Sequence, residues 1–307
     1  APPEGRAPGS PFGARVRALL LYLHYSHHIG FERLSRMMAE LFGLKISEGA
    51  ITNAFRRAQT AMTAACAAIK EKLLAARVIA SDETTSRIDG ATRWHWVFVS
   101  AKAVLHQIAP RRAKAVAEEV LGDHRPAVWV SDRYTGQQDL APAHQVCLAH
   151  VLRDVQYAID CGDTVFAPRL RELLRWAIRI GQRRDALQPT TLRAYHARAE
   201  RRLDALVAMP AAHPAGRELQ TAVKAWRTKF FVFLEDRDVP ATNNACEREI
   251  RPSVIFRKVT GGFRSSWGAH IHAGYRSVTS TARLHGHTAL QAVGHLLTGT
   301  FTPTPAT

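Results

Sequence analysis

Three acids in the sequence stand where carboxylates can do chemistry. Asp82 lies in SDET, within the run VIASDETTSRID, and Asp132 lies in SDRY, closing the run AVWVSD. Both runs read as strands, and in an open sheet the carboxyl ends of strands are where sites are built. Two carboxylates brought together there repel unless a cation neutralises them. Magnesium suits that task, because it prefers carboxylate oxygen and needs few protein ligands. The plainer reading makes each aspartate a turn former at a strand end. The third acid, Glu247, falls in VPATNNACEREIRP, where Thr242 or Asn243 is placed to cap a helix carrying Glu247 one turn in, with Arg248 and Arg251 beside it. Pro252 is expected to end or kink that helix within about a turn, since it lacks an amide donor. In the plainer reading, Glu247 and Glu249 are surface charges paired with arginines at helical spacing.

Other polar groups invite weaker readings. Cys147 and His150 form a C-x-x-H pair. Structural zinc takes four ligands and no second pair is evident, so packing and hydrogen bonding at the sheet edge is favoured over metal binding. Cys246 is expected to face the core. In RKVTGGFRSSWGAHIHAGYRS, Gly261 and Gly262 permit close backbone approach, and Arg257, Lys258 and Arg264 offer charge to phosphates. A tight hairpin turn explains the glycines equally well. His270 with His272, and His285 with His287, read as surface residues.

The elements that must position these residues follow from periodicity. Residues 1–13, rich in Pro and Gly, read as a linker that something is expected to precede. Residues 14–77 read as helical, with Val16, Leu19, Leu20 and Leu23 on one face. One helix ends near Gly43, and Ser47 is placed to cap the next. The pattern is a helix-turn-helix with Arg56 and Arg57 on its second helix, consistent with DNA contact or with plain helical packing. Across residues 78–150 the period changes: three strands, a short helix at KAVAEEVLG, a fourth strand at AVWVSD and a fifth at HQVCLA. Trp94, Trp96 and Phe98 share one face and read as core. Residues 151–238 are helical again. Leu192, Tyr195, Leu203 and Leu206 mark one helix there; Leu219, Trp226, Phe230 and Phe233 mark another. Residues 239–300 carry the Glu247 helix and a basic closing segment.

Bulk composition narrows the partners. The 307 residues hold 42 Lys and Arg against 26 Asp and Glu, a net charge of +16, and 46% are hydrophobic. Such a chain buries a large core and attracts polyanions, with nucleic acid favoured over a ribosome-like or membrane-surface role. No apolar run is long enough to span a membrane, and four scattered cysteines fit a reducing compartment. The chain is expected to be cytoplasmic.

Taken in order, the DET at Asp82, SDRY at Ser131, CLAH with HVLRD at Cys147–Asp154, VPATNNACEREIR at Val239 and RKVTGGFRS at Arg257 resemble the insertion-sequence-66 family of transposases. The resemblance runs from about Gly13 to Leu297. It implies an α/β, ribonuclease H-like mixed sheet flanked by helices, with a helical N-terminal region and a large helical insertion before Glu247. It further implies a catalytic triad of Asp82, Asp132 and Glu247 holding two Mg2+ or Mn2+ ions. The expected reaction is two-metal phosphoryl transfer, cutting element ends and joining them to target DNA. Arg248 and Arg251 are expected to stabilise charge on the transferring phosphate. The implied partners are double-stranded DNA at element ends and target, further copies of the chain on that DNA, and other proteins of the element. The implied location is the bacterial cytoplasm, on the nucleoid. A ribonuclease H-like nuclease without strand transfer, and a truncated non-catalytic DNA-binding relative, are the rivals.

Overall fold

The computed structural model describes residues 12–303, so nearly all of the expected linker lies outside the described residues. Along the chain run α1 (Ala14–His27), α2 (Phe31–Phe42), α3 (Glu48–Leu74), β1 (Val78–Ile88), β2 (Ala91–Val99), β3 (Val104–Ala109), α4 (Lys114–Leu121), β4 (Val128–Ser131) and β5 (Ala143–Val146). There follow α5 (Leu148–Asp160), α6 (Phe166–Gln182), α7 (Pro189–Val207), α8 (Pro214–Ala225), α9 (Val232–Glu235), α10 (Asn244–Thr260), α11 (Ser266–Leu284) and α12 (Ala289–Thr298). The strands take the order β3-β2-β1-β4-β5, with β2 and β3 antiparallel and β4 parallel to both β1 and β5. This is the mixed sheet of a ribonuclease H-like layout.

The chain divides into two compact units. Among the described residues, one comprises 12–76, Asp82–Val116 and 246–303. Its centre is α11, buried almost continuously from Ala269 to Ala282 and packed on α3, α12 and β3. Its hydroxyls do structural work. Ser277 Oγ accepts from the His106 amide at 2.8 Å and Thr281 Oγ1 from the Val104 amide at 3.0 Å. These amides belong to the edge strand β3, so α11 occupies hydrogen-bonding groups that would otherwise template another strand. Close approach of α11 to α3 depends on Gly274, where a Cβ would come within 2.3 Å of the Met62 side chain. Ser47 caps α3 through the Ala50 amide, as its position in the sequence predicts.

The core of this unit contains histidines that apolar patterning does not reveal. His272 is fully buried rather than at the surface, because it lies on the face of α11 that meets Phe256 and Phe263. His95 and His106 share a 3.0 Å hydrogen bond in the interior. Burial pushes His24 down to about 4 and His95 to about 3. In the unfolded chain both titrate near pH 6.5, so below that pH the unfolded state binds more protons and stability falls with pH. Between about pH 7 and about pH 5, each such ring is expected to remove up to about 1.4 kcal/mol per pH unit below its unfolded pKa. Denaturant midpoints measured across that range check this, and a flat profile would contradict neutral burial.

The second unit comprises Arg77–Ser81 and Ala117–Ala245. Here α5, α6, α7, α8 and α9 pack together, with α9 against β5. The expected single helix through Leu219, Trp226, Phe230 and Phe233 is instead α8, a short turn and α9. Gln145 gives the reason. Fully buried on β5, it donates to the Phe230 carbonyl at 3.1 Å and accepts from the Phe233 amide at 3.1 Å. Those backbone groups are spent on the sheet instead of a continuous helix.

Candidate active site

Parallel pairing of β1 with β4 matches Val78 to Val128, Ile79 to Trp129 and Ala80 to Val130. Asp82 and Asp132 each lie two residues beyond the last matched pair. Asp82 is not at the end of its strand, since β1 continues to Ile88 and there bridges Phe263. It stands instead just past the end of the β1–β4 ladder, whereas Asp132 directly follows β4. Both carboxylates are half-buried, and each has one oxygen oriented by a backbone amide. Glu83 N donates to Asp82 Oδ1 at 2.9 Å and Tyr134 N to Asp132 Oδ1 at 2.9 Å. The second contact is an Asx-type turn, so Asp132 does have the turn-forming role of the plainer reading. An ionised carboxylate has about four lone-pair sites, so such a turn leaves it capacity to ligate a cation.

The segment before α10 is stitched to these strand ends. Asn243, fully buried, donates through Nδ2 to the Ser81 carbonyl at 2.7 Å, and its amide donates to Cys147 Sγ at 3.0 Å. Leu148 N donates to the Ala241 carbonyl at 3.0 Å, while Cys147 N donates to the Ser131 carbonyl at 2.8 Å. Asn243 is therefore a tie to β1. Its Oδ1 has no hydrogen-bond partner, which rules out the expected capping bond from that residue. Ser131 Oγ and His144 Nε2 share a 3.0 Å hydrogen bond, and burial pushes His144 down to about 3, keeping it neutral.

Glu247 is the fourth residue of α10 and half-buried. The helix does not stop near Pro252 but runs on to Thr260. Cys246, Glu249, Ile250, Ser253 and Phe256 make a continuous buried face at three- and four-residue spacing, and packing of that face outweighs the proline's cost of about 3 kcal/mol. Glu249 is no surface charge: its carboxylate takes Arg276 at 3.1 Å, Arg283 at 2.6 Å and Ser280 Oγ at 2.5 Å. Cys246 faces the core as expected.

Cys147 is buried before α5, and its Sγ lies within 4.8 Å of a His150 ring nitrogen. The contact from Asn243 fits the packing and hydrogen-bonding reading. Glu83, unremarked in the sequence, has a buried side chain paired with Arg112 at 2.5 Å and anchors the residue beside Asp82. Its adjacency in DET was the available signal.

Among the basic residues, Arg56, Arg57, Arg248, Arg251, Lys258 and Arg264 are exposed. Arg257 is half-buried and engaged at the surface of β1, donating to the Thr85 carbonyl and, at 2.8 Å, to Thr85 Oγ1. Gly261 and Gly262 have φ of +74 and +98, and a Cβ at Gly262 would lie 2.7 Å from the Arg87 carbonyl oxygen. The turn they form lets Phe263 N donate to Arg87 O at 2.8 Å. The glycines thus serve a turn between α10 and α11 that rests on β1, a helix-to-helix connection where the sequence suggests a hairpin.

The sequence model of the Transposase IS66 family matches residues 9–271. The chain belongs to that family. No curated protein matches it. Membership makes this IS66-family transposase a DNA-processing enzyme in general terms and implies use of divalent metal. Among the described residues, no helix is long and apolar enough to cross a membrane.

Proposed function

We propose that this chain cuts the ends of a mobile element and joins them to target DNA, with Asp82, Asp132 and Glu247 as the ligands of two Mg2+ or Mn2+ ions. The observation that carries the proposal is the β1–β4 register, in which each aspartate follows the matched pair Ala80 and Val130 by the same two residues. Neighbouring strands run about 4.8 Å apart, a spacing suited to carboxylates that share a cation. The donor set fits the metal, since hard carboxylate oxygens suit magnesium and manganese. Bound there, the ions would lower the pKa of an attacking water and stabilise the leaving 3′ oxygen.

The remaining work belongs to side chains and backbone. The Glu83 and Tyr134 amides orient the aspartates, and the tie from Asn243 to Ser81 sets where α10 begins. Exposed Arg248 and Arg251 would offer charge to the phosphate, with Arg56, Arg57, Lys258 and Arg264 along the flanking DNA and Arg257 holding β1. The same reading includes at least a dimer on paired ends, other proteins of the element, and a nucleoid location in a bacterium.

The test supplies the chain with supercoiled plasmid and a labelled duplex bearing a free 3′ hydroxyl, in Mg2+ or Mn2+. Nicking and covalent joining of the label to plasmid are expected. Nicking without joining would favour a plain nuclease, and binding without either would favour a non-catalytic relative.

A further inference from the structure

A cavity of about 690 Å3 opens in the unit that contains α1, α2, α3 and α11, lined by the α1–α2 corner, the start of α3 and the α10–α11 connection. Ligand sites span roughly 300–1,000 Å3, so its size is that of a binding pocket. Its walls combine two chemistries. Phe31, Phe263 and Trp267 supply half-buried aromatic surface, with Phe263 backed by the buried Phe256, on which it stacks at 5.3 Å with only 21° between planes. Trp267 is half-buried and carries the Arg56 guanidinium 5.0 Å above its ring. Exposed Arg33 and Arg264 line the same cavity.

The first turn of α11 also forms part of this wall. Ser265 caps it and no acid lies in that turn, so its amides and dipole favour an anion. A purely apolar ligand would have no use for the arginines, and a bare phosphate no use for the aromatic floor. A nucleotide uses both. Two carboxylates, Glu32 and Glu48, also line the cavity. They disfavour a second anion, yet they accept hydrogen bonds from the amino groups on base edges.

We propose that this cavity takes the base of one unpaired nucleotide, stacked on Trp267 and its aromatic neighbours, with the adjoining phosphate at the start of α11 beside Arg33 and Arg264. The proposal rests on the DNA-processing reading and deepens it, because the protein then distinguishes distorted or frayed DNA from perfect duplex. Taking a base out of the stack costs least where it is already unpaired.

The test compares two duplexes of equal length at matched salt, one fully paired and one with a single bulged 2-aminopurine, titrated with the full chain. Binding to the bulged duplex is expected to be tighter by roughly five- to a hundredfold, the range of stacking one base on an aromatic side chain. The 2-aminopurine emission is expected to be quenched on binding. Trp267→Ala should abolish both the preference and the quenching, and Trp267→Phe should retain them. Arg33→Glu, at an exposed position, should also reduce the preference and serves if Trp267→Ala does not fold. Equal affinity of the unaltered chain for the two duplexes, or a preference that survives Trp267→Ala, overturns the pocket while leaving duplex binding standing. Failure to bind either duplex overturns the DNA reading as well.

Discussion

Asp132→Ala is expected to abolish metal-dependent nicking of supercoiled DNA while DNA binding persists. Coordinated cations supply several kcal/mol of transition-state stabilisation, and each 1.36 kcal/mol is tenfold in rate, so the loss should be on the order of a thousandfold or more. Asp132→Asn is the sharper variant. Asn keeps an oxygen for the Tyr134 amide and forms such turns as readily as Asp, so a residue that served only the turn would lose little. A residue that ligates a cation loses its charge and should fail nearly as badly as alanine. The same pair of substitutions at Asp82 is expected to behave alike. Weaker phosphate attraction cannot account for the loss, because removing a carboxylate from a chain of net charge +16 makes it more basic. Nicking rates and binding isotherms at matched salt decide the matter: Asp132→Asn cutting at the unaltered rate would sink the metal assignment and leave the turn.

Much of the frame around these acids could be read from local pattern. Alternation of β-branched and aromatic residues gave the strands, and Ser47 before an apolar repeat gave the start of α3, because both signals depend on near neighbours in sequence. The two aspartates were visible for the same reason, each beside a strand of recognisable composition. What escaped depended on distant partners. Gln145 breaks the helix at Phe230 across 85 residues, and Asn243 reaches Ser81 across 162. Pro252 looked like a helix terminator because its local cost is plain while the buried face that offsets it is not. His272 looked polar and exposed until α11 proved to be the centre of its unit. Joint action of the carboxylates, as proposed, would depend on distant partners in the same way, which is why Asn substitutions carry more weight than spacing.

Glu249 shows the same lesson in energetic form, and its replacement is expected to have the largest effect on folding. Its side chain is 11% exposed and that of Arg276 is 7%, so the pair is held away from water. Burial pulls the Arg276 guanidinium below its ordinary range, with Glu249 opposing that shift. Arg283 also reaches Glu249, but its side chain is 59% exposed and solvent screens its contribution. Glu249→Ala strands the Arg276 charge in the interior, for which about 3–5 kcal/mol of lost stability is expected. Arg276→Met should cost less, because Glu249 keeps Arg283 and the Ser280 hydroxyl. Combining Glu249→Leu with Arg276→Met should recover most of the loss, since well-packed apolar side chains of similar volume often match or exceed a buried ion pair. Urea unfolding of the two single variants Glu249→Leu and Arg276→Met and their combination forms a cycle whose coupling energy isolates the pair. If the double variant is as unstable as the sum of the singles, the two residues are not coupled and the ion pair is not what holds α10 to α11. If it recovers, the helix that carries Glu247 is seated by a charge pair two residues away in sequence, and Glu249→Ala should also slow DNA cutting without touching a carboxylate of the triad.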